Sequence, residues 1–178
     1  MNARATVTPA SAAADHIVLR LPQRDDGADL HDLIARCPPL DLNSRYAYLL
    51  LCEHHAATCV VAQVSGELAG AITAYIPPTQ PDTLFIWQVA VAPAMQGQRL
   101  GSRMLDHLAA RCALSHGFRR IETTISPSNL GSRKLFSSYA RRHHAGIEVK
   151  PFLGSSDFGK GRHEEEWLYQ IGPGLCAV

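Results

Sequence analysis

Ile17 to Pro22 alternates apolar and polar side chains, the period of a half-buried strand. Asp25, Asp26 and Asp29 then supply helix-start chemistry, and Leu30, Leu33 and Ile34 give an apolar face at helical spacing. Pro38-Pro39 stops that helix, because proline disfavours helical geometry in the residue before it. Asn43 or Ser44 caps a second helix running through Leu49-Leu50-Leu51 to about His54. Thr58–Val64 and Leu68–Tyr75 flank the turn Ser65-Gly66-Glu67 and read as a hairpin. Thr83–Ala92 is nearly continuous apolar sequence, as expected of a central strand buried on both faces. After a break at Pro93–Gln98, a long helix presents Leu100, Met104, Leu105, Leu108, Ala109 and Cys112 on one side and ends at Gly117. Arg119–Ile125 is a further strand. Pro127-Ser128-Asn129 opens a helix lined by Leu135, Phe136 and Tyr139, and late strands fall near 147–152 and 166–171. The order β-α-α-β-β-β-α-β-α-β-β predicts an α+β (mixed α/β) fold: a mixed central sheet of about six or seven strands flanked by about four helices. One domain is expected over residues 16–173, between a disordered tail at 1–15 and a short tail at 174–178.

Composition narrows the function classes. A chain of 178 residues suits one domain, and a net charge of +1 offers no general attraction to nucleic acid or an anionic membrane. No apolar run approaches the roughly 20 residues needed to span a bilayer, and the N-terminus lacks the apolar core of a secretory signal. The five cysteines are odd in number and lack C-x-x-C spacing, which suits free thiols in a reducing cytoplasm. Among nine histidines, the adjacent pairs His54-His55 and His143-His144 point different ways, so no metal site is expected.

The chemistry concentrates where strand 83–92 turns through Gln96-Gly97-Gln98-Arg99-Leu100-Gly101 into the long helix. A first helical turn has unpaired N–H donors and partial positive charge, and so attracts phosphate. Gly97 lets backbone approach an anion closely, and Gly101 leaves room for a ligand against the helix. G-K-[ST] and G-x-G-x-x-G are both missing, which excludes a Walker loop and a dinucleotide fingerprint. Taken alone, the segment is equally an ordinary helix start with glycine in a turn. Val89-Ala90-Val91-Ala92-Pro93, then Gln96 to Gly101, then Asn129, Ser132, Leu135 and Phe136 together resemble the GNAT superfamily of acetyl-CoA-dependent N-acetyltransferases, over roughly residues 17–171. The resemblance implies acetyl-CoA as co-substrate, held by Val89, Val91, Gln96, Gly97, Gln98, Arg99, Leu100, Gly101, Asn129 and Phe136. Two positions depart from the family pattern. Arg99 stands where glycine or alanine is usual, and Phe136 stands where many members carry a tyrosine that protonates the leaving thiolate. Tyr139, one turn later, is a candidate substitute.

Longer stretches resemble one subfamily, the L-2,4-diaminobutyrate acetyltransferases of ectoine biosynthesis: residues 37–62, 74–91, 122–129 and 158–173. This likeness implies acetyl transfer to the 4-amino nitrogen of L-2,4-diaminobutyrate, by a cytoplasmic homodimer. It also implies that Asp41, Tyr46, Trp87, Gln88, His163 and Glu166 surround the diamine. Ordinary roles fit the same residues: an N-cap for Asp41, core packing for Tyr46 and Trp87, a surface loop for His163 and a solvated face for Glu166. Direct transfer requires a neutral amine and no enzyme nucleophile, so a general base is needed. Glu166 with His163 is the first choice and Asp41 the second. A different amine acceptor, a peptide N-terminus or a non-catalytic acyl-CoA-binding module is the alternative.

Overall fold

The computed structural model describes residues 17–159 and 163–173; both expected tails lie outside the described residues. The chain runs β1 (Val18–Arg20), α1 (Asp26–Ala35), α2 (Arg45–His54), β2 (Val60–Val64), β3 (Glu67–Tyr75), β4 (Thr83–Val91), α3 (Leu100–His116), β5 (Arg120–Ile125), α4 (Leu130–Arg142), β6 (Gly146–Leu153) and β7 (Glu166–Gly172). The expected element order is observed throughout. The seven strands form one sheet ordered β1-β2-β3-β4-β5-β7-β6. Neighbours are antiparallel except β4 and β5, which are parallel and joined through α3.

Local signals place the ends of the elements. The Ser44 hydroxyl accepts the Ala47 N–H at 3.2 Å and Asn129 Oδ1 accepts the Ser132 N–H at 3.0 Å, each satisfying an orphan donor of its helix. Ser65 and Gly66 both have positive φ, as the tight turn between β2 and β3 demands. Asp25 makes no side-chain cap at α1. Asp26 takes over instead, accepting the Gln23 N–H at 2.6 Å and a two-pronged Arg20 guanidinium at 2.7 Å. Burial opposes ionisation of Asp26, but the Arg20 hydrogen bond, the Gln23 N–H and the Arg20 charge together hold its carboxyl below the usual range. The pair therefore stabilises the fold above the unfolded-state pKa of Asp, and that stabilisation is lost as pH falls through the lower folded value. Asp26→Ala is expected to destabilise the protein by about 2–3 kcal/mol in urea unfolding, with the difference from wild type shrinking in acid.

Both faces of the sheet centre are covered. On one, Leu30, Leu33, Ile34, Tyr48 and Leu51 from α1 and α2 pack on Val61, Ala71 and Ala90. On the other, Met104, Leu105, Leu108 and Phe136 from α3 and α4 pack on Ile72, Leu84, Ile86 and Ile121. This double burial is why β4 reads as unbroken apolar sequence.

Candidate active site

The site begins where two parallel strands part. The β4–β5 ladder runs from Thr83↔Arg120 to Ile86↔Thr123, yet β4 continues to Val91. At the same point the β3–β4 pairing passes from Thr73↔Gln88 to Ala74↔Ile86, leaving Trp87 as an unpaired bulge residue. Beyond Ile86, the edge of β4 toward β5 therefore carries backbone groups with no strand partner. Such groups need another partner, and a ligand can supply it.

A cleft of about 1210 Å³ opens there, lined by Val89, Val91, Gln96, Gly97, Arg99, Leu100, Gly101 and Asn129. Gly97 has φ +78° and Arg99 φ +59°, both in the left-handed region. Arg99 caps α3 without a side-chain hydrogen bond, and the first turn of α3 contains no acidic residue. The leading N–H donors of α3 thus face the cleft uncompeted, which suits a diphosphate. The left-handed conformation also explains why Arg99 is an unusual occupant, since a side chain there costs about 1 kcal/mol relative to glycine. Arg99→Gly is expected to keep the fold and raise unfolding free energy by about 0.5–1 kcal/mol in urea titration.

Two expected cofactor residues sit elsewhere. Phe136 is only 1% exposed and packs in the core beneath the cleft, because its position on α4 points toward β4 and β5. Gln98 is exposed and spends its side chain on the turn itself, donating to the Ala94 carbonyl at 3.1 Å. Leu135, the neighbour of Phe136, lines the cleft in its place. Tyr139 is buried in the same core, its hydroxyl pushed up to about 12 chiefly by burial, and its ring packs against His143 at 4.3 Å. Nothing in this arrangement brings the Tyr139 hydroxyl into the cleft.

The second half of the site assembles around Asp41. Cys37, Pro38, Pro39 and Leu40 line the cleft, and Asp41 follows them in the chain. The Gln88 amide, 5% exposed, donates to the Asp41 carbonyl at 2.6 Å, while Tyr48 donates to Gln88 Oε1 at 3.3 Å. Gln88 is thus the anchor that ties this loop to β4. His163 Nε2 lies 2.8 Å from Asp41 Oδ2, and His163 Nδ1 lies 2.6 Å from the Glu164 carbonyl. Both partners are acceptors, an arrangement that favours the doubly protonated ring, which can donate to both. The Asp41 carboxylate foremost, then the Glu164 carbonyl, raises the His163 pKa to match. Phe158 stacks on the ring at 3.7 Å.

Three consecutive glutamates precede Trp167, and alternation separates their roles. Glu164 accepts the Ser128 N–H at 3.2 Å, which docks this segment on the cleft wall. Glu165 accepts from the Trp167 indole at 2.7 Å. Glu166 feels the charges of His163 and Asp41 and lies near Thr124. Burial raises its pKa above the ordinary glutamate value despite His163 and Thr124. Asp41, His163 and Glu166 are therefore together; Gln88 supports them. Trp87 is 38% exposed at the bulge. Tyr46 is 68% exposed, and among the described residues its hydroxyl bonds none of this group. The buried tyrosine of α2 is Tyr48, two residues on, which sequence reading passed over; its helical register beside Leu51 and Cys52 was the available signal. Arg103, Lys134, Ser138 and Arg142, which line the cleft further along α3 and α4, were also passed over.

Comparison with known proteins agrees with this geometry. Residues 27–139 match the family model "Acetyltransferase (GNAT) family". The chain is similar to the L-2,4-diaminobutyric acid acetyltransferase of Bordetella parapertussis, with 50% identity over 93% of this chain and 88% of the relative. It is similar to that of Marinococcus halophilus, with 40% identity over 94% and 96%. Among solved structures it resembles the diaminobutyrate acetyltransferase EctA of Paenibacillus lautus, in complex with L-2,4-diaminobutyric acid and coenzyme A, at TM-score 0.86 and 40% identity over 93% of this chain and 99% of that one. A sheet splayed beyond Ile86, a glycine-containing turn opening into α3, and relatives of this closeness lead to one assignment: the chain belongs to the GNAT family of acetyltransferases and, within it, to the L-2,4-diaminobutyric acid acetyltransferases.

Proposed function

We propose that this protein transfers the acetyl group of acetyl-CoA to the 4-amino nitrogen of L-2,4-diaminobutyrate, releasing CoA and N4-acetyl-L-2,4-diaminobutyrate, the precursor of the compatible solute ectoine. The observation that carries this reading is the cluster of Asp41, His163 and Glu166, tied to the cleft through Leu40, which precedes Asp41, and through Glu164 on Ser128. It offers acidic groups to a diamine beside the strand that holds a thioester.

An alkylammonium of pKa near 10 is only about one part in 10³ neutral at pH 7, so the attacking nitrogen must lose a proton first. Glu166 is the base: its raised pKa moves it toward the operating range, and His163 has no free lone pair for that task. His163 instead holds Asp41, which pairs with the second ammonium. Trp87, at the bulge of β4, completes the acceptor wall. The freed nitrogen attacks the thioester carbonyl carbon, and unpaired β4 backbone donors near Val89 stabilise the oxyanion. Collapse breaks the C–S bond, and one of the two protons left on the nitrogen passes to the thiolate, directly or through water, while the other stays as the amide N–H. This route needs no tyrosine at Phe136.

Cys37, Cys52, Cys59 and Cys112 are free and buried, and burial raises the pKa of each thiol. Direct attack uses none of them. Single Cys→Ala variants are expected to keep turnover wherever they fold; a trapped acetyl-cysteine or ping-pong kinetics would overturn direct transfer. Buried free thiols suit the cytoplasm, and no helix among the described residues is long and apolar enough to cross a membrane. Tyr46, Leu49 and Leu50 give α2 an exposed apolar stripe, which supports a homodimer measurable by sedimentation. We place neither nucleic acid nor membrane among its partners.

Mass spectrometry of the product from diaminobutyrate and acetyl-CoA, with the acetylated nitrogen located, tests the reading. Acetylation at N4 supports it. Turnover of other amines but not diaminobutyrate, or binding of acetyl-CoA without thiol release, would replace it.

A further inference from the structure

Coenzyme A carries two separate anionic centres, the diphosphate and the 3′-phosphate of its adenosine. The turn at Gln96–Gly101 and the start of α3 suit the first. The cleft does not end there. It continues between α3 and α4, lined by Arg103 and Asp106 on one side and by Lys134, Ser138 and Arg142 on the other.

The charges in this groove are not alike. Arg142 is committed: Nη2 reaches both Asp106 oxygens at 2.8 and 3.1 Å, and Nη1 donates to Ser138 at 3.0 Å. His143 occupies Asp106 further, at 3.1 Å. Among the described residues, Arg103 and Lys134 have no carboxylate within ion-pair distance. Two unpaired cations, one from each helix, line the same concavity. They raise its positive potential where a low-dielectric wall keeps the field from dispersing. A phosphate monoester, close to a dianion at pH 7, is the chemistry that matches. The spacing agrees as well. Arg103 lies one helical turn beyond Arg99, about 6 Å along α3, a span that one ribose covers.

We propose that Arg103 and Lys134 bind the 3′-phosphate of acetyl-CoA and make this enzyme discriminate against the 3′-dephospho form. Asp106 is the positioning residue that keeps Arg142 at the far end of the groove. The inference rests on acetyl-CoA being the co-substrate.

Calorimetric titration of the wild-type protein with CoA and with 3′-dephospho-CoA tests it. CoA is expected to bind on the order of 30-fold more tightly, as a charge-assisted phosphate contact warrants. In Lys134→Gln and Arg103→Gln that ratio is expected to fall to about 5 or less, mostly through weaker CoA binding, while Lys134→Arg keeps it. Equal wild-type affinities, or a ratio unmoved in both glutamine variants, would overturn the proposal and leave the co-substrate reading standing. Binding of neither ligand to the wild-type protein would overturn both.

Discussion

Glu166→Gln is expected to lower kcat/KM for diaminobutyrate by about 10²–10³-fold while the acetyl-CoA KM stays within about twofold of wild type. The glutamine keeps the volume but cannot accept a proton. Its effect is therefore expected on the chemical step and on ammonium binding, because we propose that the turn at Gln96–Gly101 and β4 hold the coenzyme. The pH profile separates these roles. Glu166 has a raised pKa, chiefly through burial, so the acid limb of wild-type activity should lie above the ordinary glutamate range. That limb should vanish in the variant. The alkaline side reports His163, whose pKa is raised mainly by Asp41. The imidazolium–Asp41 pair stabilises the fold fully below the unfolded-state histidine pKa and is lost as pH rises through the higher folded value. Asp41→Asn should bring the His163 titration back down, observable by NMR of the ring. An unchanged diaminobutyrate kcat/KM in Glu166→Gln would move the base elsewhere.

Gly101→Leu is expected to raise the acetyl-CoA KM by on the order of 30–100-fold with thermal unfolding close to wild type. A Cβ at this position would lie 3.6 Å from Val91 Cγ2 and 3.8 Å from the Leu135 methyl groups, ordinary contact distances. The helix backbone thus tolerates a side chain, and Gly101→Ala should have only a few-fold effect. The additional atoms of leucine have nowhere to go but the cleft that Val91 and Leu135 line. Loss of affinity without loss of fold identifies Gly101 as space reserved for the coenzyme. An unchanged KM would remove the α3 start from the cofactor site.

Local chemistry in the sequence was enough for the skeleton. The expected strands and helices all occur, because each is signalled within its own residues: alternation at β1, double-faced burial at β4, the Ser44 and Asn129 caps, the Gly117 stop. The turn at Gln96–Gly101 was legible for the same reason, since its left-handed residues and helix start lie within a few adjacent positions. Family likeness named the acceptor residues, but it could not assign them their work. Asp41 and His163 are 122 positions apart, and only the sheet order places the α1–α2 loop against the start of β7. That meeting gives the histidine two acceptors and so favours its cationic form. Of three adjacent glutamates, Ser128 engages Glu164 and Trp167 engages Glu165, while Glu166 alone begins β7 beside His163 and Asp41. Helix packing likewise turns Phe136 into the core and Leu135 into the cleft. A helical stripe tells which residues share a face, but not which of its two edges a ligand will touch. Sequence by itself determined what recurs within one turn or one strand: the elements, their ends and the anion-binding turn. Tertiary structure alone decided protonation, burial and the parting of β4 from β5, because each depends on groups that meet only when distant segments pack.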